Sequence, residues 1–303
     1  MDNIQKYESA IEKLQQEVHL WPPQNQVLNK FQLIKQLDLI VARRTISARP
    51  VTHRLEEIAS IDPTKVVLKR THSDMGQHVI LPGDETKYTK EYLECRLEVP
   101  GSFWFAQTFV PTLRELGEWR VFIIGGRIVY VVHTRRNWTK GIWVSETPTT
   151  YYSLDELRYV RVPALQEQIS KIPKSHLRAS GQLFEMNICN PDQGDRTTRD
   201  KAEAEFRTFV LQTYEELYAM ESRRTSAKPS ISLFCQLDIG ILIDSEGQAH
   251  YFVNEVEKTQ TTSLWSNRQH AQALRIPARM LGHTFAKVFY EWMQSLHNPY
   301  IIG

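Results

Sequence analysis

Three carboxylates in one alternating stretch, Asp238, Glu255 and Glu257, are the residues best suited to chemistry. Along Leu237–Ile243 the apolar Leu237, Ile239, Ile241 and Ile243 fall on one face of a strand and Asp238 on the other. A second strand, Ala249–Val256, follows the turn Asp244-Ser245-Glu246-Gly247, and pairing around that turn sets Asp238 near Asn254 and Glu255. Glu255 and Glu257, two residues apart on a strand, point to the same side, with Cα atoms roughly 6.5 Å apart. Burying such a cluster without partners is costly, so it needs cations, protons or water. Either it is an exposed strand end paired with Lys258 and Arg268, or it holds magnesium beside a nucleotide phosphate, since magnesium favours carboxylate and phosphate oxygens. Asp244 is a turn residue, not a ligand.

Two further segments carry polar chemistry. Lys69 ends the strand Lys65–Lys69 (KVVLK) and precedes a hydroxyl-bearing loop, Arg70 to Gln77, with one glycine. Such a loop can turn N–H groups toward phosphate, with the lysine as a point charge; the plain alternative is a solvated strand end. Gln107–Arg120 (QTFVPTLRELGEWR) contains an apolar strand ending at Val110-Pro111, where backbone groups lacking ladder partners can read a base edge. Viewed alone, the segment is explained better by an edge strand followed by a loop.

These residues need elements to hold them. Ile4, Tyr7, Ile11, Leu14 and Val18 recur at helical spacing, and Pro22-Pro23 ends that helix. Gln26–Leu39 reads as a second helix, Leu55–Ser60 as a short one, and Phe103–Val110 as a strand. Glu118–Val132 is a hairpin, with Trp119–Ile124 and Ile128–Val132 joined through Gly125-Gly126. Asn137–Tyr152 is polar and aromatic without periodicity and reads as a long loop. Ala202–Met220 is the strongest helix, and Ala271–Leu296 supplies one or two more. Hairpins outnumber βαβ patterns, so the class is α+β with mainly antiparallel sheets.

Composition excludes several other functions. The 303 residues carry 37 Lys+Arg against 35 Asp+Glu, a net charge of +2, without the basic excess of a nucleic-acid binder. The longest apolar run, Val121–Val132, is too short for a membrane span. An acidic N-terminus is unlike a signal peptide, so the chain reads as a cytoplasmic protein. Cys95, Cys189 and Cys235 show no paired spacing, and the ten histidines show no zinc motif.

In their order these segments resemble the ATP-grasp superfamily, in its glutathione synthetase-like and ribosomal-protein glutamate ligase-like branch. Asn29-Lys30 resembles the family's Asp-Lys at a helix head, and Arg49-Pro50-Val51-Thr52 its Pro-x-Thr. Lys69 follows Lys30 by 39 residues, a spacing similar to that of the family's two nucleotide-binding lysines. Gln107–Pro111 resembles the adenine hinge, Gly117–Gly126 the segment after it, and Leu237-Asp238-Ile239 with Val253–Glu257 the two metal-bearing strands. The likeness spans about residues 28–290. Three departures stand out: Glu255-x-Glu257 replaces Glu-x-Asn, the loop after Lys69 has few glycines, and only some 29 residues precede Lys30.

The resemblance implies an ATP-grasp fold, two α+β lobes clamping a nucleotide, with 1–48 a reduced helical front segment, 49–112 the small lobe and 113–303 the large lobe. It implies a ligase that activates a small-molecule or peptide carboxylate with ATP and Mg²⁺ and passes the acylphosphate to an amine, thiol or other nucleophile. Lys30 and Lys69 would hold the phosphates, and Gln107, Phe109, Val110 and Glu118 the rest of the nucleotide. Asp238, Glu255 and Glu257 would hold magnesium, with Arg120 and Lys69 as catalytic cations. His133, Arg135, Arg136, Asn137 and Trp138, or Thr259–Trp265 with Arg268, would line the acceptor pocket. An ATP-grasp-like small-molecule kinase and a non-catalytic nucleotide-binding scaffold stay open, and a homodimer is compatible with the sequence.

Overall fold

The computed structural model describes residues 9–10, 13–14, 17, 28–44, 48–55, 62, 64–71, 78–84, 87, 89–95, 102–137, 142–146, 149–157, 196–225, 228–258 and 275–297. Two compact units emerge. One comprises Met1–Arg43 and Arg49–Val110, the other Arg44–Ala48 and Pro111–Gly303.

In the first unit, helix α1 (Lys30–Ala42) begins at a capping box in which Asn29 and Gln32 exchange side chain-to-backbone hydrogen bonds of 2.9 and 3.0 Å. The cap explains why the helix starts later than the Gln26 read from its apolar spacing. Ile34, Leu37 and Ile40 are its buried stripe. A four-stranded sheet follows, with spatial order β1 (Thr52–Arg54), β4 (Trp104–Thr108), β2 (Val66–Arg70), β3 (Val79–Ile80). Leu68, Ile80, Leu93, Trp104 and Ala106 form its core, with Leu93 supplied by helix α2 (Lys90–Cys95). Of the expected Ile4–Val18 helix, Ser9, Ala10, Lys13, Leu14 and Glu17 are described and helical. Its remaining stripe, the Arg70–Gln77 loop beyond Thr71 and the short helix after Leu55 lie outside the described residues.

The second unit is built on a five-stranded sheet in the order β7 (Ile142–Glu146), β6 (Arg127–Asn137), β5 (Glu118–Ile124), β8 (Phe234–Ile243), β9 (Ala249–Glu257). Every neighbouring pair is antiparallel, so the class is α+β with antiparallel sheets. β5 and β6 turn on Gly125 and Gly126, both at positive φ (59° and 74°), as a two-residue hairpin requires. β6 runs beyond the expected Val132, and β7 occupies part of the Asn137–Tyr152 stretch that reads as loop. The strand is only five residues long (IWVSE) at the sheet edge, and its three leading apolar residues do not alternate with polar ones, so no period-2 pattern marks it.

The two sheet faces differ in kind. Trp119, Val121, Ile123, Leu237, Ile239 and Val253 face a core completed by the long helix Arg196–Ser222, whose Phe206 ring lies 5.3 Å from that of Trp119. His133 belongs to the same core, fully buried, stacked 4.9 Å from Trp119 and bonded through Nε2 to Leu116 O at 2.7 Å. The expectation that His133 meets a substrate carboxylate is therefore corrected: it is a packed core histidine. On the other face, the C-terminal helix Arg275–His297 covers one end through Phe285 and Val288, against Phe234 and Gly125. The short helix Pro111–Glu115 covers the other end, with Leu113 against Gly240, where any Cβ would meet it at 2.5 Å. Arg120 and Asp238 lie between these two covers. No described helix is long and apolar enough to cross a membrane.

Candidate functional site

In the first unit, segments far apart in sequence join in one hydrogen-bonded chain. The Lys69 ammonium donates to Gln107 Oε1 at 2.9 Å, Gln107 Nε2 donates to Thr52 Oγ1 at 3.0 Å, and Thr52 Oγ1 donates to Pro50 O at 3.3 Å. Pairing of β4 with both β1 and β2 causes this, since Gln107 lies opposite Thr52 on one side and Val67 on the other. Gln107 and Thr52 are buried, so their polar atoms need these partners. Lys30, the first residue of α1, donates its N–H to Thr71 O at 3.3 Å, which ties the helix start to the residue after β2. Both lysines are thus anchored at one end of the unit's sheet. The Phe109 N–H is engaged by Lys65 O at 2.8 Å.

The second unit carries the acids. Register places Arg120 opposite Asp238 and Asp238 opposite Glu255, so the three form a row across β5, β8 and β9 on one sheet face. Glu118 joins them: its Oε1 accepts from Arg120 Nη2 at 3.3 Å, and its Oε2 from Asn254 Nδ2 at 3.2 Å. Asn254 is the extra residue of a β-bulge, since Asp238 pairs with Glu255 but Ile239 pairs with Val253. Sequence spacing had left Asp238 between Asn254 and Glu255; the bulge brings both to the cluster.

Electrostatics follow from this crowding. Burial pushes the Asp238 carboxyl well above the ordinary carboxylate range, and Glu118 and Glu255 add to it, against the pull of Arg120 and of a hydrogen bond from Gln236. Burial works against the Arg120 charge, but Asp238, Glu118 and Glu255 together outweigh it and raise the guanidinium's pKa. Each charged group at this site depends on the others for its state.

Among the described residues, no group of three or more His, Cys, Asp and Glu side chains is arranged to hold a metal ion. Asp238, Glu255 and Glu257 share one face of the β8–β9 pair and are of the residue type a hard cation takes, and the buried Gln236 Oε1 has no hydrogen-bond partner among the described residues. Asp244 acts as the turn residue expected, its Oδ1 accepting from the Glu246 and Gln248 amides at 2.9 Å.

Other expected residues lie elsewhere. Arg135, two positions beyond His133 on β6, is exposed on the face opposite the acids. Arg136 pairs with Trp143 in backbone register, while Trp138, Thr259–Trp265 and Arg268 lie outside the described residues. Residue reading did not single out Gln236, and it placed Asn254 near Asp238 without its contact to Glu118. Gln236 is two before Asp238 and so shares its face, a signal present in the alternation. The bulge that recruits Asn254 leaves none.

No protein-family model matches the chain, and no curated protein sequence matches it. Solved structures similar in fold include D-alanine–D-alanine ligase from Bacillus anthracis complexed with ATP, at 14% identity and a TM-score of 0.44, over 88% of this chain and 67% of that one. A D-cycloserine synthetase gives 11% identity and a TM-score of 0.45, over 95% and 80%. The bifunctional glutathione synthetase from Pasteurella multocida gives 11% and 0.27, over 88% of this chain but only 38% of its own length. All three are ATP-grasp superfamily members, the group the sequence resembles; at TM-scores below 0.5 the likeness decides nothing about this chain's chemistry.

Proposed function

We propose that the chain is an ATP-dependent ligase that phosphorylates a carboxylate and joins the acylphosphate to an amine or thiol, with release of ADP and phosphate. The observation that supports this reading best is the row Arg120–Asp238–Glu255, a guanidinium held among carboxylates on one face of a sheet. No activated serine or cysteine is required. Phosphoryl transfer leaves little covalent work for side chains, and catalysis is positioning and charge stabilisation.

Each residue then has a task. Lys30 and Lys69 hold phosphate oxygens as point charges, and the Gln107–Thr52 link keeps the Lys69 ammonium oriented. Gln107, the Phe109 carbonyl, the Val110 backbone and Glu118 contact the remainder of the nucleotide. Asp238, Glu255 and Glu257 would hold magnesium. When bound, that ion supplies charge neutralisation at the phosphate oxygens. Arg120 neutralises charge on the transferred phosphoryl group, and its own charge is secured by Asp238, Glu118 and Glu255. Arg136 and Arg268 are the cations assigned to the acceptor carboxylate; Arg135, on the face opposite the acids, is not.

The test is ATP consumption across a panel of small-molecule and peptide carboxylates with amines and thiols, followed by mass measurement of the product. Condensation of acid and nucleophile with loss of water, one ADP and one phosphate per product, is the expected outcome. A stable phosphoester formed without any amine would instead identify a kinase, and nucleotide binding without turnover across the panel would identify a scaffold.

A further inference from the structure

The hydrogen bond between Asn254 and Glu118 joins strands that are not neighbours. Glu118 lies on β5 and Asn254 on β9, with β8 between them. Strands two apart in a sheet are roughly 10 Å from one another, so this bond is a strap across the face of β8.

Asn254 reaches that face through the β-bulge. In regular alternation Val253 and Glu255 would share a face, yet Val253 is buried opposite Ile239 while Glu255 is opposite Asp238 among the acids. The extra residue resets the alternation. Without it Asn254 would pair with Asp238 and Glu255 with Leu237, which would turn Glu255 toward the apolar face. Bulges beside functional sites re-aim side chains in this way.

The strap ends on a carboxylate with a directional donor at each oxygen. Glu118, its side chain 11% exposed, accepts from Arg120 Nη2 through Oε1 at 3.3 Å and from Asn254 Nδ2 through Oε2 at 3.2 Å. In its ion pair with Arg120 the carboxylate is acceptor-only, so the Asn254 amide must turn its NH₂ group toward it. A donor on each oxygen fixes the plane of the Glu118 carboxylate, and each oxygen keeps a lone pair for a further contact.

We propose that Asn254 is a positioning residue: by holding Glu118 it fixes the orientation of the Arg120 guanidinium. That Arg120 then acts on a transferred phosphoryl group rests on the ligase reading; that Asn254 holds it does not.

The test uses the full chain labelled with ¹⁵N-arginine. The Arg120 Nε–H signal, assigned by its loss in Arg120→Lys, is expected to be single and sharp in wild type. It is expected to broaden or shift in Asn254→Leu, which is close in shape but cannot donate. Asn254→Gln keeps an amide donor and should restore the signal, whereas Asn254→Asp sets a second carboxylate against Glu118 and should not. In a Glu118→Gln background Asn254→Leu is expected to add nothing, since it acts through the same link; a further change would overturn that route. An Arg120 signal identical in wild type and Asn254→Leu would overturn the proposal outright. Circular dichroism checks folding, and Asn254→Asp against Asn254→Gln carries the comparison if Asn254→Leu does not fold. With an acid and amine pair found active, Asn254→Leu is expected to lower kcat by between about tenfold and 10²-fold with KM for ATP unchanged. Wild-type kcat in that variant would remove Asn254 from the reaction while leaving the ligase reading in place. Absence of turnover in the wild-type chain would overturn the ligase reading, and the Arg120 signal would still decide whether Asn254 holds the guanidinium.

Discussion

Arg120 sits among Glu118, Asp238 and Glu255 with its side chain 13% exposed, so its removal leaves buried carboxylates without their cation. Arg120→Met is expected to cost up to about 3–5 kcal/mol of stability, offset in part as Asp238 takes up a proton, and chemical denaturation measures it. A loss near zero would mean that the row is solvated. Cys235 gives the opposite case. Burial pushes its thiol far up, with Glu221 adding to the effect and Lys258 opposing it. Cys235 in the folded chain should resist alkylation at neutral pH and react on unfolding, which peptide mass mapping of the labelled protein will show. At this scale the candidate acids were legible because alternation puts Asp238 opposite the apolar stripe. That Arg120 meets Asp238 was not, since it depends on β5 and β8 being neighbours, and strand order is not written in local sequence.

At the scale of elements, the β4–β5 connection depends on Gly117, at φ +85°, where an added Cβ would lie 2.3 Å from Thr134 O. Gly117→Ala is expected to destabilise by about 1–3 kcal/mol or more, visible as a lowered melting temperature. The β8–β9 turn carries a pH signature. Slight burial raises the Asp244 pKa, but the Gln248 amide, His250 and the Glu246 amide lower it further, leaving it below the ordinary value. A depressed carboxyl contributes stability above its unfolded pKa of about 3.9 and loses it as pH falls through the folded value. The melting-temperature difference between wild type and Asp244→Ala should therefore shrink as pH drops below about 4. A constant difference would place the stabilisation outside the carboxylate. Hairpins were readable from alternation and turn residues, whereas β7 was not, because Ile142-Trp143-Val144 is a short unbroken apolar run without the alternation that marks a half-buried strand. The helix start at Lys30 was set by the Asn29–Gln32 cap, which the apolar spacing alone ran past.

For the whole molecule, the net charge of +2 conceals a local division. Lys30 and Lys69 are anchored in the first unit, while Asp238, Glu255 and Glu257 share one sheet face of the second. The ordered segments quoted for the resemblance are the ones that build these two sets, through the Lys69–Gln107–Thr52 chain and the Arg120–Asp238–Glu255 row. Acceptor recognition was least legible, because cationic and aromatic residues in a polar stretch carry no periodicity that fixes their direction. The most direct test of the central claim is Mg-ATP turnover, with a carboxylate and amine pair found active in the panel, in Lys69→Ala and Glu255→Gln chains whose circular dichroism matches wild type. Loss of turnover in both variants is the predicted result; turnover like that of wild type in both would contradict the assignment of the site.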